Sequence, residues 1–243
     1  MSQLKAVRQQ LVEANRILAH EGVFDSYGHI SVRHPDDSQR FLLAASVSPE
    51  QVQLGDILEY AADAQPVTAC DRAQYSERYI HAAIYAARPD VQAVVHGHAD
   101  AVLPFTVTPV KLRPVLHVAA IIGAEIPVWD MTAEFGDTDL LVNQMPYAES
   151  LARSLGDGRV VLMRGHGFTA AAQSLELAVR VSVYLQKNAQ LQAAAMALGE
   201  VHYLSEGEVA AAERLMGSPK ATARVWQNWV RRAGCVVEGE AGV

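Results

Sequence analysis

The stretch "VQAVVHGHAD", residues 91–100, decides the fold. Its first five residues have the length and β-branched content of a buried strand. It follows "YSERYIHAAIYAARPD" (75–90), whose apolar spacing is helical and which Arg88 and Pro89 close. A helix that stops at proline and hands over to a fully apolar strand implies a sheet covered by helices. The end of the strand is unusual for a core: His96 and His98 stand two apart, a spacing that puts both imidazoles on one face.

The same plan extends outward. Residues 3–22, "QLKAVRQQLVEANRILAHEG", space Leu4, Val7, Leu11, Ala14 and Leu18 as an amphipathic helix that ends at Gly22. "HISVRHP" and "RFLLAAS" predict a strand pair about the turn "PDDSQ", and "DILEYAADAQPV" predicts a further strand with a polar turn. "RVVLMRGHGFTAAA" (159–172) predicts a strand interrupted at Gly165 and Gly167. A long Ala/Leu/Val-rich helix runs from Ser174 to about Gly199, and another begins at Ser205, with Glu208 completing a capping box. No repeat, linker or low-complexity tract divides the chain, so residues 1–243 are expected to form a single α/β domain with an α/β/α layering.

Composition narrows the partners. The 243 residues are 50% hydrophobic and 19% charged, with a formal charge of -7 and no basic patch, which argues against nucleic acid or an anionic membrane surface and favours a small molecule. No apolar stretch approaches the roughly 20 residues that span a bilayer. Cys70 and Cys235 form no CxxC, and no apolar segment follows an N-terminal positive charge, so a cytoplasmic setting is expected.

A histidine in a strand is more often a satisfied core residue than a ligand. His166, however, lies in "LMRGHGF" between two glycines and also follows an apolar strand, as His96 does. Three imidazoles on the ends of two neighbouring strands leave a fourth position open, the arrangement of a catalytic metal. Glu77 and His81 share a face of the preceding helix, with Tyr85 a turn further on. Glu77 could be a fourth ligand, a proton shuttle or simply a solvated surface acid. His117, in an apolar run, is expected in the core or at a subunit interface.

The order "YGHISVR", "SERYIHAAIY", "VVHGHAD", "HVAAIIGAEIPV" and "VLMRGHGFTAAAQSLELAV" resembles the class II aldolase/adducin family over residues 5–215. The resemblance implies a three-layer α/β/α sandwich with a central mixed sheet, assembled as a homotetramer with active sites between subunits. It implies a divalent ion held by His96, His98 and His166 (zinc or manganese, with iron or cobalt as alternatives) and Glu77 as catalytic acid/base. Members acting on sugar phosphates carry small polar groups where this chain has Gly28-His29, "AASVS" and Tyr75-Ser76, so a phosphorylated substrate is not expected. The variants "GHISVRHP", "RFLL", "SERYIH" and "FGDTDLLV" look instead like the branch that decarboxylates hydroxypyridine dicarboxylates or dihydroxyphthalates through a metal-stabilised enolate or phenolate. His29, Tyr75, Ser76 and Arg78 are the expected contacts to such an aromatic acid, with Arg164 and Tyr203 as further candidates. Retro-aldol cleavage of a non-phosphorylated substrate is the alternative chemistry, and a noncatalytic adducin-like assembly module the alternative of another class.

Overall fold

The computed structural model describes residues 3–235. The helix α1 (Gln3–His20) leads into three antiparallel strands, β1 (His29–Arg33), β2 (Arg40–Ala44) and β3 (Ile57–Ala61). Then come α2 (Arg78–Ala87), β4 (Ala93–Gly97), the short α3 (Leu103–Thr106), β5 (Val128–Trp129), the short α4 (Thr132–Phe135) and α5 (Met145–Leu155). The hairpin of β6 (Val160–Met163) and β7 (Gly167–Ala172) precedes α6 (Leu175–Leu198), α7 (Glu206–Met216) and α8 (Pro219–Arg232). The seven strands form one sheet in the order β3-β2-β1-β4-β7-β6-β5, in which only β5 and β6 run parallel. The mixed α/β architecture expected from the sequence is the one observed.

β1, β4, β6 and β7 are buried along their whole length, because helices cover both faces of the sheet. α2 and α5 pack together over one face; α1 and α6 pack together over the other, with α8 beside them. Ser205 and Glu208 form the expected capping box of α7, and Ser174 caps α6. α5 and α8 were not legible in the sequence. α5 is amphipathic but short, and begins behind Gln144 with no side-chain cap.

One expectation is corrected. The segment 159–172 is not an interrupted strand but two antiparallel strands joined by a tight turn, with Met163 paired to Gly167. Gly165 takes the left-handed φ of +65° that reverses the chain. Gly167 then sits so close to β4 that a Cβ there would lie 2.4 Å from the carbonyl oxygen of Gly97. His117 is exposed, which removes the core reading and leaves the interface one.

Because a backbone oxygen cannot swing aside as a side chain would, Gly167→Ala is expected to destabilise the fold by about 1–3 kcal/mol. Gly55→Ala, with nothing within 4 Å and an ordinary φ, serves as the control. Urea unfolding midpoints that coincide for the two variants would contradict this account of the hairpin.

Candidate metal centre

β4 is the scaffold of the site. Its partner β1 sets His29 opposite His96, and its partner β7 sets Thr169 opposite His96 and Phe168 opposite Gly97. His96 therefore lies inside the ladder, His98 one residue past its end, and His166 at the tip of the β6–β7 turn, which the pairing of β7 carries to the same end of β4. Glu77 is the residue immediately before α2 and is buried, so it is not the solvated acid the sequence left open. Glu77, His96, His98 and His166 each offer one ligand atom, and these atoms lie within 4.8 Å of one another.

The outer nitrogens settle the tautomers. His96 donates from Nδ1 to the Phe168 carbonyl at 3.0 Å, and His166 donates from Nδ1 to the Leu140 carbonyl at 2.9 Å. His98 places Nδ1 3.2 Å from Oδ2 of Asp25. Each imidazole thus turns its Nε2 inward, the nitrogen that would bind a metal, with the Nε2 atoms of His96 and His98 3.1 Å apart. Glu77 holds one oxygen on the Val142 amide at 3.0 Å and brings the other to 3.4 Å from His96 Nε2 and 3.6 Å from His166 Nε2.

The electrostatics agree with this donor set. Burial opposes ionisation of Glu77, but the imidazoles of His96 and His166 outweigh it and hold the carboxyl well below the usual carboxylate range. Burial, reinforced by His96, keeps the His98 pKa low and its ring neutral. Glu77 in turn raises the His166 pKa against the effect of burial, so a proton held between them balances the carboxylate, and a divalent ion would take that proton's place. The residues therefore fit a divalent ion, three imidazoles leaving a fourth position open with the Glu77 carboxylate beside it.

Behind the candidate ligands runs a buried polar chain that the sequence pattern did not show. His29 Nδ1 meets His81 Nε2 at 2.7 Å, His81 Nδ1 meets the Ser31 hydroxyl at 2.6 Å, and Ser31 meets the Tyr85 hydroxyl at 2.8 Å. His29 is only 2% exposed and its ring lies 5.1 Å from that of His96. The ring of Tyr75 lies 4.5 Å from that of His29, and its hydroxyl donates to the Val47 carbonyl. Ser76 is exposed. The remaining expected substrate contacts have partners within the chain. Arg78 donates to the carbonyls of Ala64 and Tyr75, and Arg164 pairs with Asp130 at 2.7 Å. Tyr203 lies beneath the Arg113 guanidinium.

Residues 9–193 match the model of the Class II Aldolase and Adducin N-terminal domain. The chain belongs to this family. It is 36% identical over 239 residues to the decarboxylase tropJ of Talaromyces stipitatus, covering 88% of this chain and 89% of that protein. It is 31% identical to a 3,4-dihydroxyphthalate decarboxylase of Arthrobacter keyseri over 71% of each chain. Among solved structures, an L-fuculose 1-phosphate aldolase from Glaciozyma antarctica superposes with a TM-score of 0.80 at 21% identity, covering 96% of this chain and 92% of the other.

Burial, with His96 adding to it, pushes the His81 pKa down to about 3 from an ordinary 6.5. The unfolded chain takes up a proton on this group below about pH 6.5, whereas the native chain does not until about pH 3. The stability contributed is therefore complete above the upper value. It falls away as the pH drops through the window, at up to about 1.4 kcal/mol per unit for one group. Urea unfolding of the metal-free protein between pH 7 and pH 4 should show this decline, with a slope smaller by about one proton in His81→Gln. An equal slope in the two proteins would count against it.

Proposed function

We propose that this lyase is a divalent-metal-dependent decarboxylase of a hydroxylated aromatic dicarboxylate, such as 3,4-dihydroxyphthalate or a hydroxypyridine dicarboxylate. The observation that carries the reading is the convergence of Glu77, His96, His98 and His166 in a chain whose relatives of more than 30% identity include named decarboxylases. Zinc or manganese suits the donor set best, with iron and cobalt as alternatives. When bound, the ion supplies a Lewis acid that stabilises negative charge developing on a substrate oxygen.

The chain's own residues then handle the proton. Glu77 is ionised at rest, so it is prepared to accept the proton of the substrate's ring hydroxyl rather than to donate one. It returns that proton to the ring carbon bearing the carboxylate, giving a keto acid. Carbon dioxide leaves, and the electron pair of the broken carbon–carbon bond returns to the ring oxygen as aromaticity is restored. One proton moves from oxygen to carbon through Glu77, and no oxidant is required. The Val142 amide holds the carboxylate for both transfers.

Tyr75 and His29 put aromatic bulk beside the metal ligands, which favours a flat ring over a phosphate. Ser76 stays a candidate contact. Arg78 and Arg164 would bind a substrate carboxylate by exchanging their present partners for it. Assembly as a homotetramer with the site between subunits is part of this reading, and the exposed Leu191, Met196 and Leu198 on the far half of α6 support it, with Tyr203 just beyond. We read residues 1–243 as one domain. No described helix is long and apolar enough to cross a membrane, and the free thiols of Cys70 and Cys235 accord with a cytoplasmic setting.

Incubation with dihydroxyphthalates, hydroxypyridine dicarboxylates and sugar phosphates, with bicarbonate and aldehyde trapped separately, tests the chemistry. Carbon dioxide from an aromatic diacid is expected, with no useful cleavage of the sugar phosphates. Aldehyde without carbon dioxide would establish retro-aldol cleavage, the family's other chemistry, and no turnover by metal-loaded protein would favour an assembly module.

Glu77→Gln separates a proton carrier from a metal ligand. The variant is expected to keep its metal and bind substrate as the parent does, while kcat falls by about 10²–10⁴. Recovery of full turnover on adding excess metal would assign Glu77 to the metal shell alone.

A further inference from the structure

The three imidazoles are not backed alike. His96 and His166 give their outer protons to backbone carbonyls, whereas His98 faces the side-chain carboxylate of Asp25, at 3.2 Å from Oδ2 and 3.4 Å from Oδ1. We propose that Asp25 is the positioning residue of the metal centre, orienting His98 so that its Nε2 faces the ion and strengthening that imidazole as a donor. This rests on the reading of the site as a metal centre and is independent of the reaction proposed for it.

Three features of the structure point to that role. His98 lies beyond the last residue of β4, so the ladder that orients His96 does not reach it. The Asp25 carboxylate is itself fixed, since its Oδ1 accepts the amides of Tyr27 at 2.8 Å and Gly28 at 3.1 Å. The loop carrying it is keyed to the HGH segment through the ring of Phe24, which lies between two glycines. A Cβ at Gly28 would come within 2.3 Å of that ring and one at Gly97 within 3.1 Å. Gly97 is the residue between the two histidines, so the Phe24 contact sets how far Asp25 stands from His98.

Charge supplies a further argument. Three neutral imidazoles and Glu77 bring one negative charge to a divalent ion, and Asp25, acting through the His98 ring, brings the second. A carboxylate behind a ligating imidazole raises its basicity and fixes its orientation, and loss of such a partner weakens metal binding by about 10–100-fold.

The test is zinc affinity, measured by competition of the metal-free protein against a chromophoric chelator, for the parent, Asp25→Asn and Asp25→Ala. Asparagine keeps an oxygen for the Tyr27 and Gly28 amides but removes the charge facing His98. We expect Asp25→Asn to bind zinc about 10–100-fold more weakly than the parent. We also expect its cobalt-substituted form to show altered visible absorption, while near-ultraviolet circular dichroism of the metal-free protein stays that of the parent. Parent-like affinity in both variants overturns the proposal. Loss in Asp25→Ala with none in Asp25→Asn also overturns it, reducing Asp25 to a cap on its own loop. A parent that takes up no zinc overturns the metal reading itself, and this proposal with it.

Discussion

The approach of the β6–β7 hairpin to the end of β4 is the contact on which the site depends. Gly167 and the Gly97 carbonyl lie too close for any side chain between them, and that closeness brings His166 to the two histidines of the HGH segment. Three imidazoles and an ionised carboxylate with ligand atoms within 4.8 Å form an arrangement that no isolated segment would hold, since gathering these polar groups removes them from water. What holds it is the sheet. β4 and β7 are buried on both faces, so separating the hairpin from the HGH segment would expose apolar strands to water. The folded core thus holds a candidate site for a cation, and an ion bound there would in turn stabilise the fold.

Much of this was legible in the sequence, for local reasons. Alternation within a strand puts His96 and His98 on one face, and paired glycines around His166 mark a close approach, because both are properties of neighbouring residues. The hairpin was not legible. A four-residue apolar run, a turn and a second apolar run look the same as one interrupted strand until Gly165 is seen in the left-handed conformation. Glu77 was read as part of the helix that it immediately precedes, and its burial was undecided, since the amide that holds it belongs to Val142, 65 residues away. Asp25 gave no signal either, lying 73 residues from His98 in a short polar turn of ordinary composition. The carbonyls of Phe168 and Leu140 that fix two tautomers are backbone groups, which any residue would provide.

The buried chain from His29 to Tyr85 gives α2 a second duty. The helix begins behind Glu77 and, one turn on, inserts His81 between His29 and Ser31, so α2 and its N-cap carry both the residue facing the candidate ligands and the residue behind them. His29 and His81 are both held neutral by burial, so neither would place further positive charge beside a cation bound at the candidate site. His29 and His81 serve as hydrogen-bonding core groups; their clustering near the candidate ligands in space does not make ligands of them.

The cations near the site bear on how substrate would be held. Arg164 is paired with Asp130, and Arg78 is bonded to two carbonyls and stacked on Tyr79. A dicarboxylate entering one isolated subunit would therefore find few uncommitted positive groups besides the ion. Breaking the Arg164–Asp130 pair is the easier exchange. Both side chains are more than a third exposed, and exposed pairs of this kind contribute at most about 1 kcal/mol. Arg78 is harder to recruit, because its carbonyl partners are partly buried and would be left unsatisfied. In the proposed reading, the carboxylate that stays on the ring is thus held by Arg164 or by groups from a neighbouring subunit, while the carboxylate that departs lies over the Glu77 side. That division suits the chemistry. The group that leaves as neutral carbon dioxide should not be clamped by a guanidinium, since holding its negative charge would stabilise the substrate more than the transition state in which that charge moves into the ring.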